Sequence, residues 1–322
     1  MPSSIRVETV RRWLRYAFYD WTRGMPKYKR AITWAAILVQ GYAIWFGLSR
    51  PQVWVYMVRE NKLVYLGVFL LYLFGERVMH GLVTSEIVRK TQLEADQIAA
   101  QQIQKTLQPE KLEELVGYEM KVFYQPFRAV GGDYFDVIEL PGNRTLFTVA
   151  DVSGKGMPAA LLAANIQALV RSFANVDAEP LVLARQINKH LSRYTPSDRF
   201  ATAVFVVLRR DSGELTYVNA GHNAPIVYCA GSATSLEATG LPMGLLSGAE
   251  YEAGAAIVPP GGTLLLFTDG LTDSIPGNDP AGRLRGAISD NPAKTMSNLK
   301  SLIDPRFKED DVTILLVKRT ER

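Results

Sequence analysis

Apolar positions change rhythm along this chain, and each change predicts a different kind of element. From Ala31 to Leu48 no charge appears over 18 residues, the length a membrane-crossing helix needs at about 1.5 Å per residue. Trp34 and Trp45 lie near the ends of that run, where interfacial aromatic rings are expected. Ser49-Arg50-Pro51 breaks it. A second apolar run, Leu63–Phe74, reaches bilayer length only if Glu76 and Arg77 sit at the interface. Residues 31–80 are therefore expected to form two transmembrane helices. Residues 82–110 are rich in Glu, Gln, Ala, Lys and Ile, with no proline before Pro109, which predicts a linker helix. Its apolar positions, Ile87, Leu93, Ile98, Ile103 and Leu107, do not keep a clean heptad. Dimerisation through this helix is expected, with a solvated connector as the plainer alternative.

Beyond about residue 115 the period shortens to that of strands. Runs at 119–126 and 131–140 alternate, and Pro141-Gly142-Asn143 turns the second into Arg144–Ala150, a hairpin partner. Helices are expected over about 157–175 and 179–194, where Ala and Leu dominate or apolar residues recur at helical spacing. Strands return at 200–208, 214–220 and 224–229, with shorter ones near 235–238 and 250–257. Gly262–Gly270 reads as a buried strand ending in an acid, 292–303 as a helix, and Val312–Lys318 as a closing strand. Strands in blocks and helices in separate blocks argue for an α+β sandwich rather than βαβ repeats. The stretch 277–292, rich in Gly, Pro and Asp, reads as a reduced flap.

Composition narrows the chemistry. The 322 residues carry a formal net charge of only +4, which gives no argument for nucleic acid. The sign is uneven: residues 1–30 hold eight Lys or Arg against Glu8 and Asp20, so a basic N-terminal segment on the cytoplasmic side is expected, with a hairpin returning the rest of the chain to the cytoplasm. A single cysteine, Cys229, excludes an intrachain disulfide and a cysteine-based zinc site, and His80, His190 and His222 are too scattered for a histidine cluster.

The acids stand out instead. Asp133 and Asp136 sit with a Gly-Gly turn and a strand, while Asp151, Asp269 and Asp310 or Asp311 each lie at the edge of an apolar strand. One Asp beside Gly is usually a turn former. Several with the same local pattern point to hard divalent cations, which take oxygen ligands. Two such ions about 4 Å apart activate water for in-line attack on phosphorus.

Six motifs occur in order: Gly131–Asp136 (GGDYFD), Ala150–Ala160 (ADVSGKGMPAA), Asn219–Pro225 (NAGHNAP), Gly240–Gly244 (GLPMG), Phe267–Gly270 (FTDG) and Asp310–Thr313 (DDVT). Together they resemble the PP2C-like bacterial serine/threonine phosphatases of the SpoIIE/RsbU family, over about residues 90–318. The resemblance implies a PP2C-like sandwich of two antiparallel β-sheets flanked by helices over 115–320, with metals at one end. It implies that Asp151 bridges two Mn²⁺ or Mg²⁺ ions, that the Val152 carbonyl binds one, that Asp269 and Asp310 hold the other, and that Asp133 binds directly or through water. Asp311 ranks below Asp310 because the family motif places the ligand first in the pair. The amides of Gly154, Lys155 and Gly156 are candidates for contact with phosphate. His222, tempting as a general acid, reads more simply as part of a turn.

The expected protein is thus a multi-pass inner-membrane phosphatase with its catalytic domain in the cytoplasm. By family analogy it would use metal-activated water to remove phosphate from phosphoserine or phosphothreonine on a regulatory protein such as an anti-sigma factor antagonist. Its partners would be that phosphoprotein, membrane lipid and a second copy of the chain, but no nucleic acid. The alternatives are a pseudophosphatase that binds partners without turnover, and a membrane receptor whose phosphatase-like domain serves mainly to oligomerise.

Overall fold

The structure, a computed structural model, describes residues 62–109, 114–174, 178–196 and 198–320, with scattered positions between 30 and 52. The chain divides into two compact units, Met1–Ala95 and Asp96–Arg322.

Helix α1 (Lys62–Leu107) supplies most of what is described of the first unit. No break separates an apolar part from a linker helix. α1 runs unbroken through Gly81, where a side chain would meet nothing. Separate elements at 63–75 and 82–110 are thus corrected to one helix, which ends where Pro109 disfavours a further turn. Leu70, Leu71 and Phe74 are exposed on it, as are Ile87, Leu93, Ile98 and Ile103 further along. Most of the run 31–48 lies outside the described residues. Among the described residues, the only helix long and apolar enough to cross a membrane is Met157–Ala174, a core helix of the second unit.

That second unit is a four-layer α/β/β/α sandwich. Sheet one has the strand order β1-β10-β9-β6-β7 and sheet two β2-β3-β4-β5-β8. Its strands are β1 (Tyr118–Gln125), β2 (Tyr134–Leu140), β3 (Arg144–Val152), β4 (Ala201–Arg209), β5 (Glu214–Ala220), β6 (Ile226–Cys229), β7 (Ser232–Ser235), β8 (Gly254–Ile257), β9 (Thr263–Phe267) and β10 (Val312–Arg319). Every strand pair is antiparallel. The β2–β3 hairpin closes through Pro141-Gly142-Asn143, with Gly142 at φ 76° and Asn143 at φ 59°. Glycine and asparagine are the residues that tolerate this left-handed backbone.

The central strands are buried on both faces, which is why they read as continuous apolar runs. Val204, Val206 and Leu208 of β4 point into the core between the sheets, against Leu264, Leu266 and Leu315. Ala203, Phe205 and Val207 point the other way, towards α2 (Met157–Ala174) and α3 (Pro180–Tyr194) through Ile166, Val170, Leu183 and Ile187. Leu265, Phe267, Ile314 and Leu316 face α4 (Asp269–Asp273), α5 (Pro280–Ala287) and α6 (Pro292–Leu302) on the outer side of sheet one. Each fully buried Leu, Ile or Phe side chain contributes about 1.5–3 kcal/mol.

Several boundaries differ from the expectation. Residues 131–133 are loop, and the strand begins at Tyr134. The hairpin partner runs on through Val152, which places Asp151 inside β3. The short strands lie at 232–235 and 254–257 instead of 235–238 and 250–257. β9 ends at Phe267, and Asp269 opens α4. The 277–292 stretch holds α5, whose N-cap Asp279 accepts from the Gly282 amide at 2.8 Å and whose first residue is Pro280. That cap and proline are a legible helix start, obscured by the surrounding glycines.

Candidate active site

The expected metal ligands come from four separate places in the fold: the loop before β2, the end of β3, the start of α4 and the turn into β10. Asp133 is buried on the first. Its Oδ2 accepts from Thr268 Oγ1 at 2.9 Å and Thr313 Oγ1 at 2.6 Å. Burial first, then repulsion from Asp151, pushes its carboxyl well above the usual range, against the pull of the two hydroxyls. Asp151 is half-buried and lies opposite Thr202 of β4. Burial, then the charges of Asp269, Asp310 and Asp311, raise its carboxyl to about 8. Asp269 is raised too, by burial and then by Asp273 and Asp310. These mutual effects place Asp133, Asp151, Asp269, Asp310 and Asp311 within one electrostatic neighbourhood.

Two glycines make the convergence possible. A methyl group on Gly131 would overlap the Tyr124 hydroxyl and sit 2.7 Å from Asp311 Oδ2. One on Gly270 would overlap the Asp311 carbonyl oxygen, so only glycine lets the start of α4 pass this close to β10. The paired acids of the turn divide the work. Asp311 is buried, and its carboxylate accepts from the Phe127 amide at 2.7 Å and the Gly132 amide at 2.5 Å, fastening the loop that carries Asp133. Asp310 is partly exposed and lies 3.0 Å from the Lys155 ammonium. Val152 is buried, and its carbonyl faces the same loop: a methyl group on Gly132 would stand 3.1 Å from that oxygen.

The Gly154-Lys155-Gly156 turn joins β3 to α2 with Gly154 at φ 95° and Gly156 at φ 77°. It is braced on one side by the residues that lead into β4: Phe200 donates its amide to Ser153 Oγ, and Arg199 Nη1 donates to the Ser153 carbonyl at 3.0 Å. The Arg199 guanidinium lies directly against Gly154, and the Arg128 guanidinium lies near Gly156. The Lys155 ammonium is turned towards Asp310 and the Glu309 carbonyl. His222 is buried, bonded through Nδ1 to Thr202 Oγ1 at 2.8 Å, with its amide donating to Asn219 Oδ1. Burial lowers its imidazole to about 4, so it is neutral at pH 7 and serves the turn.

Asp136, grouped with Asp133 by sequence pattern, belongs elsewhere. Its fully buried carboxylate takes a bidentate contact from Arg171 of α2, at 2.7 and 3.0 Å, and a bond from the Tyr134 hydroxyl at 3.0 Å. Sequence reasoning did not find Thr268, Thr313, Arg171 or Gln104. The Gln104 side chain, near the end of α1, exchanges two hydrogen bonds with the backbone of Gly131, at 2.7 and 3.1 Å. The two threonines do carry a signal, since Thr268 precedes the expected ligand Asp269 and Thr313 closes the same Asp-Asp-Val-Thr motif as Asp310, each in an otherwise apolar stretch.

The donor set is all oxygen, the chemistry of Mg²⁺ or Mn²⁺ rather than zinc. Its excess negative charge, visible in the raised carboxyls, is what a divalent cation would offset. The residues therefore fit such ions. Among the described residues no three acidic or histidine side chains already surround a single point, because Asp133, Asp310 and Asp311 are each turned to an internal donor.

The family pattern of Stage II sporulation protein E (SpoIIE) matches residues 141–320, more than half of the chain. The chain belongs to the SpoIIE family. The matched span includes Asp151, Asp269 and Asp310, while Asp133 lies just before it. Among relatives, the phosphoserine phosphatase RsbU of Bacillus subtilis is 25% identical over 231 residues, 68% of this chain and 69% of that protein. Protein IcfG of a Synechocystis species is 25% identical over 302 residues, 81% of this chain. The SpoIIE-family chain spans only 47% of IcfG's length. Among solved structures, the RsbU and RsbW domains of a Mycobacterium tuberculosis protein align with TM-score 0.55 at 26% identity, over 64% of this chain and 60% of that one. The SiaA PP2C domain of Pseudomonas aeruginosa shares the fold, with TM-score 0.62 at 20% identity over 71% of this chain and 98% of that domain.

Proposed function

We propose that this chain is a metal-dependent protein serine/threonine phosphatase that hydrolyses phosphoserine or phosphothreonine on a regulatory protein. The observation that carries the proposal is the way the acid-bearing segments are tied together: Asp133 accepts from Thr268 beside Asp269 and from Thr313 of β10, the Asp311 carboxylate beside Asp310 accepts from the Gly132 amide, and Gly132 packs close to the Val152 carbonyl beside Asp151. Two Mn²⁺ or Mg²⁺ ions would be held by Asp133, Asp151, Asp269, Asp310 and the Val152 carbonyl. When bound, such ions lower the pKa of water and neutralise charge on phosphoryl oxygens.

The chain's own groups do the rest. Thr268 and Thr313 fix the rotamer of Asp133. Asp311 fixes the loop that carries it. The Gly154–Gly156 turn offers backbone amides at a helix start, flanked by the guanidiniums of Arg128 and Arg199, so a phosphoryl dianion would meet positive potential there. No side-chain nucleophile is needed, because the attacking group is water.

The relatives support this substrate class: RsbU carries the name phosphoserine phosphatase, and by family analogy the regulator would be an anti-sigma factor antagonist. The uncharged run 31–48 and the apolar start of α1 support an anchor in the cytoplasmic membrane, with the catalytic unit on the cytoplasmic side. The exposed Ile87, Leu93, Ile98 and Ile103 support pairing of two copies through α1. Phosphate release from a phosphoserine-bearing protein, with Mn²⁺ and then with EDTA, tests the activity. Release that needs Mn²⁺ is expected. Substrate binding without release would make the chain a pseudophosphatase instead.

A further inference from the structure

Lys155 lies at the tip of an exposed turn, yet its ammonium is seated against protein groups. It is 3.0 Å from Asp310 Oδ2, donates to the Glu309 carbonyl oxygen, and stands 5.3 Å from the centre of the Phe127 ring. A carboxylate, a carbonyl and an aromatic face are the partners a cation finds in proteins. Phe127 belongs to the same loop that Asp311 fastens, so the seat is built from the site's own scaffold.

We propose that Lys155 is a built-in counter-cation of the site: it fills the place at Asp310 until a divalent ion arrives, and it must leave for that ion to bind. The inference rests on the metal-phosphatase reading above. Asp310 Oδ1 is already taken by the Asp311 amide at 2.9 Å, so Oδ2 is the oxygen for which the two cations compete. The exchange needs only side-chain motion. The turn itself is held by Ser153, Phe200 and Arg199, while the lysine stem is long and flexible. After exchange the ammonium is released beside the amides of Gly154 and Gly156, where the substrate phosphate would arrive. Lys155 therefore couples loading of the ion to the readiness of the phosphate seat. Because the pair is about one-third exposed on each side, the competition is mild, and it sets a threshold without blocking binding.

Mn²⁺ titrated calorimetrically into the full chain tests this, with wild type beside Lys155→Met, Lys155→Arg and Asp151→Asn. Lys155→Met keeps the stem without the charge, and its weakest Mn²⁺ event should tighten about 2- to 5-fold. Lys155→Arg keeps the charge and should stay within about twofold of wild type. Unchanged or weaker binding in Lys155→Met, in a protein whose binding is impaired by Asp151→Asn, overturns the role of Lys155 alone. No Mn²⁺ binding by wild type, or binding that Asp151→Asn leaves intact, overturns the metal reading and this inference together.

Discussion

Replacing Arg171 with methionine should unfold the catalytic unit far more readily than its half-exposed position suggests. The guanidinium holds Asp136 through two contacts, 2.7 Å from Nε to Oδ2 and 3.0 Å from Nη2 to Oδ1. Asp136 is fully buried, whereas the Arg171 side chain is 53% exposed. Removing one partner of a fully buried ion pair costs about 3–5 kcal/mol, because the other charge is left in a poor solvent. Two features reduce that figure here. The arginine is partly hydrated, and Asp136 keeps bonds from the Tyr134 hydroxyl and the Val137 amide. A loss of about 2–3 kcal/mol remains, which for a domain of this size lowers the melting temperature by about 5–10 °C.

The assay is urea or thermal unfolding of wild type, Arg171→Met, Asp136→Asn and the double variant. If the stranded charge is the cause, the double variant should be more stable than Arg171→Met, since Asp136→Asn removes what had been stranded. A loss below about 0.5 kcal/mol in Arg171→Met, or a double variant less stable than both single variants, would refute the reasoning. The pair ties β2 to α2, which directly follow the Asp133 loop and the Gly154–Gly156 turn.

Two further outcomes follow from the same geometry. In EDTA the catalytic unit should lose stability as pH rises from about 4 to about 8 and level off above: with its carboxyl raised from 3.8 to about 8, folded Asp151 keeps a proton that the unfolded chain has already released across that window. Melting curves should show a smaller fall in Asp151→Asn, and a fall of equal size in both proteins contradicts this origin. Gly131→Ala should cost about 1–3 kcal/mol in urea unfolding, because its methyl must displace Tyr124 or the Asp311 carboxylate, and a variant as stable as wild type would show that the loop relaxes freely.

Much of the architecture was legible because the central strands are apolar on both faces while the outer ones alternate, so both read as strands between turn residues. The acids Asp133, Asp151 and Asp269 stood out at strand edges, and the resemblance to the family assigned their roles and ranked Asp310 above Asp311. What escaped depends on tertiary proximity. Asp136 shares its local pattern with Asp133, and only the approach of Arg171 from a helix 35 residues on assigns it to an ion pair. The division between Asp310 and Asp311 is likewise set by the Phe127 and Gly132 amides, far away in sequence. Helix α5 was hidden because its composition is that of a turn, although Asp279 and Pro280 mark its start. Helix α1 also runs through the expected join between the second apolar run and the linker helix, since the glycine there, Gly81, costs a helix only about 1 kcal/mol.

The central claim is that converging carboxylates make this chain a metal-dependent phosphatase, and its most direct test is the turnover of a phosphoserine-bearing protein by wild type and Asp151→Asn at saturating Mn²⁺. The ions' charge stabilisation is worth several kcal/mol at the transition state, so the variant should be slower by a factor on the order of 10²–10⁴ while remaining folded. Equal turnover in the two proteins, or wild-type turnover undiminished by EDTA, would contradict the account.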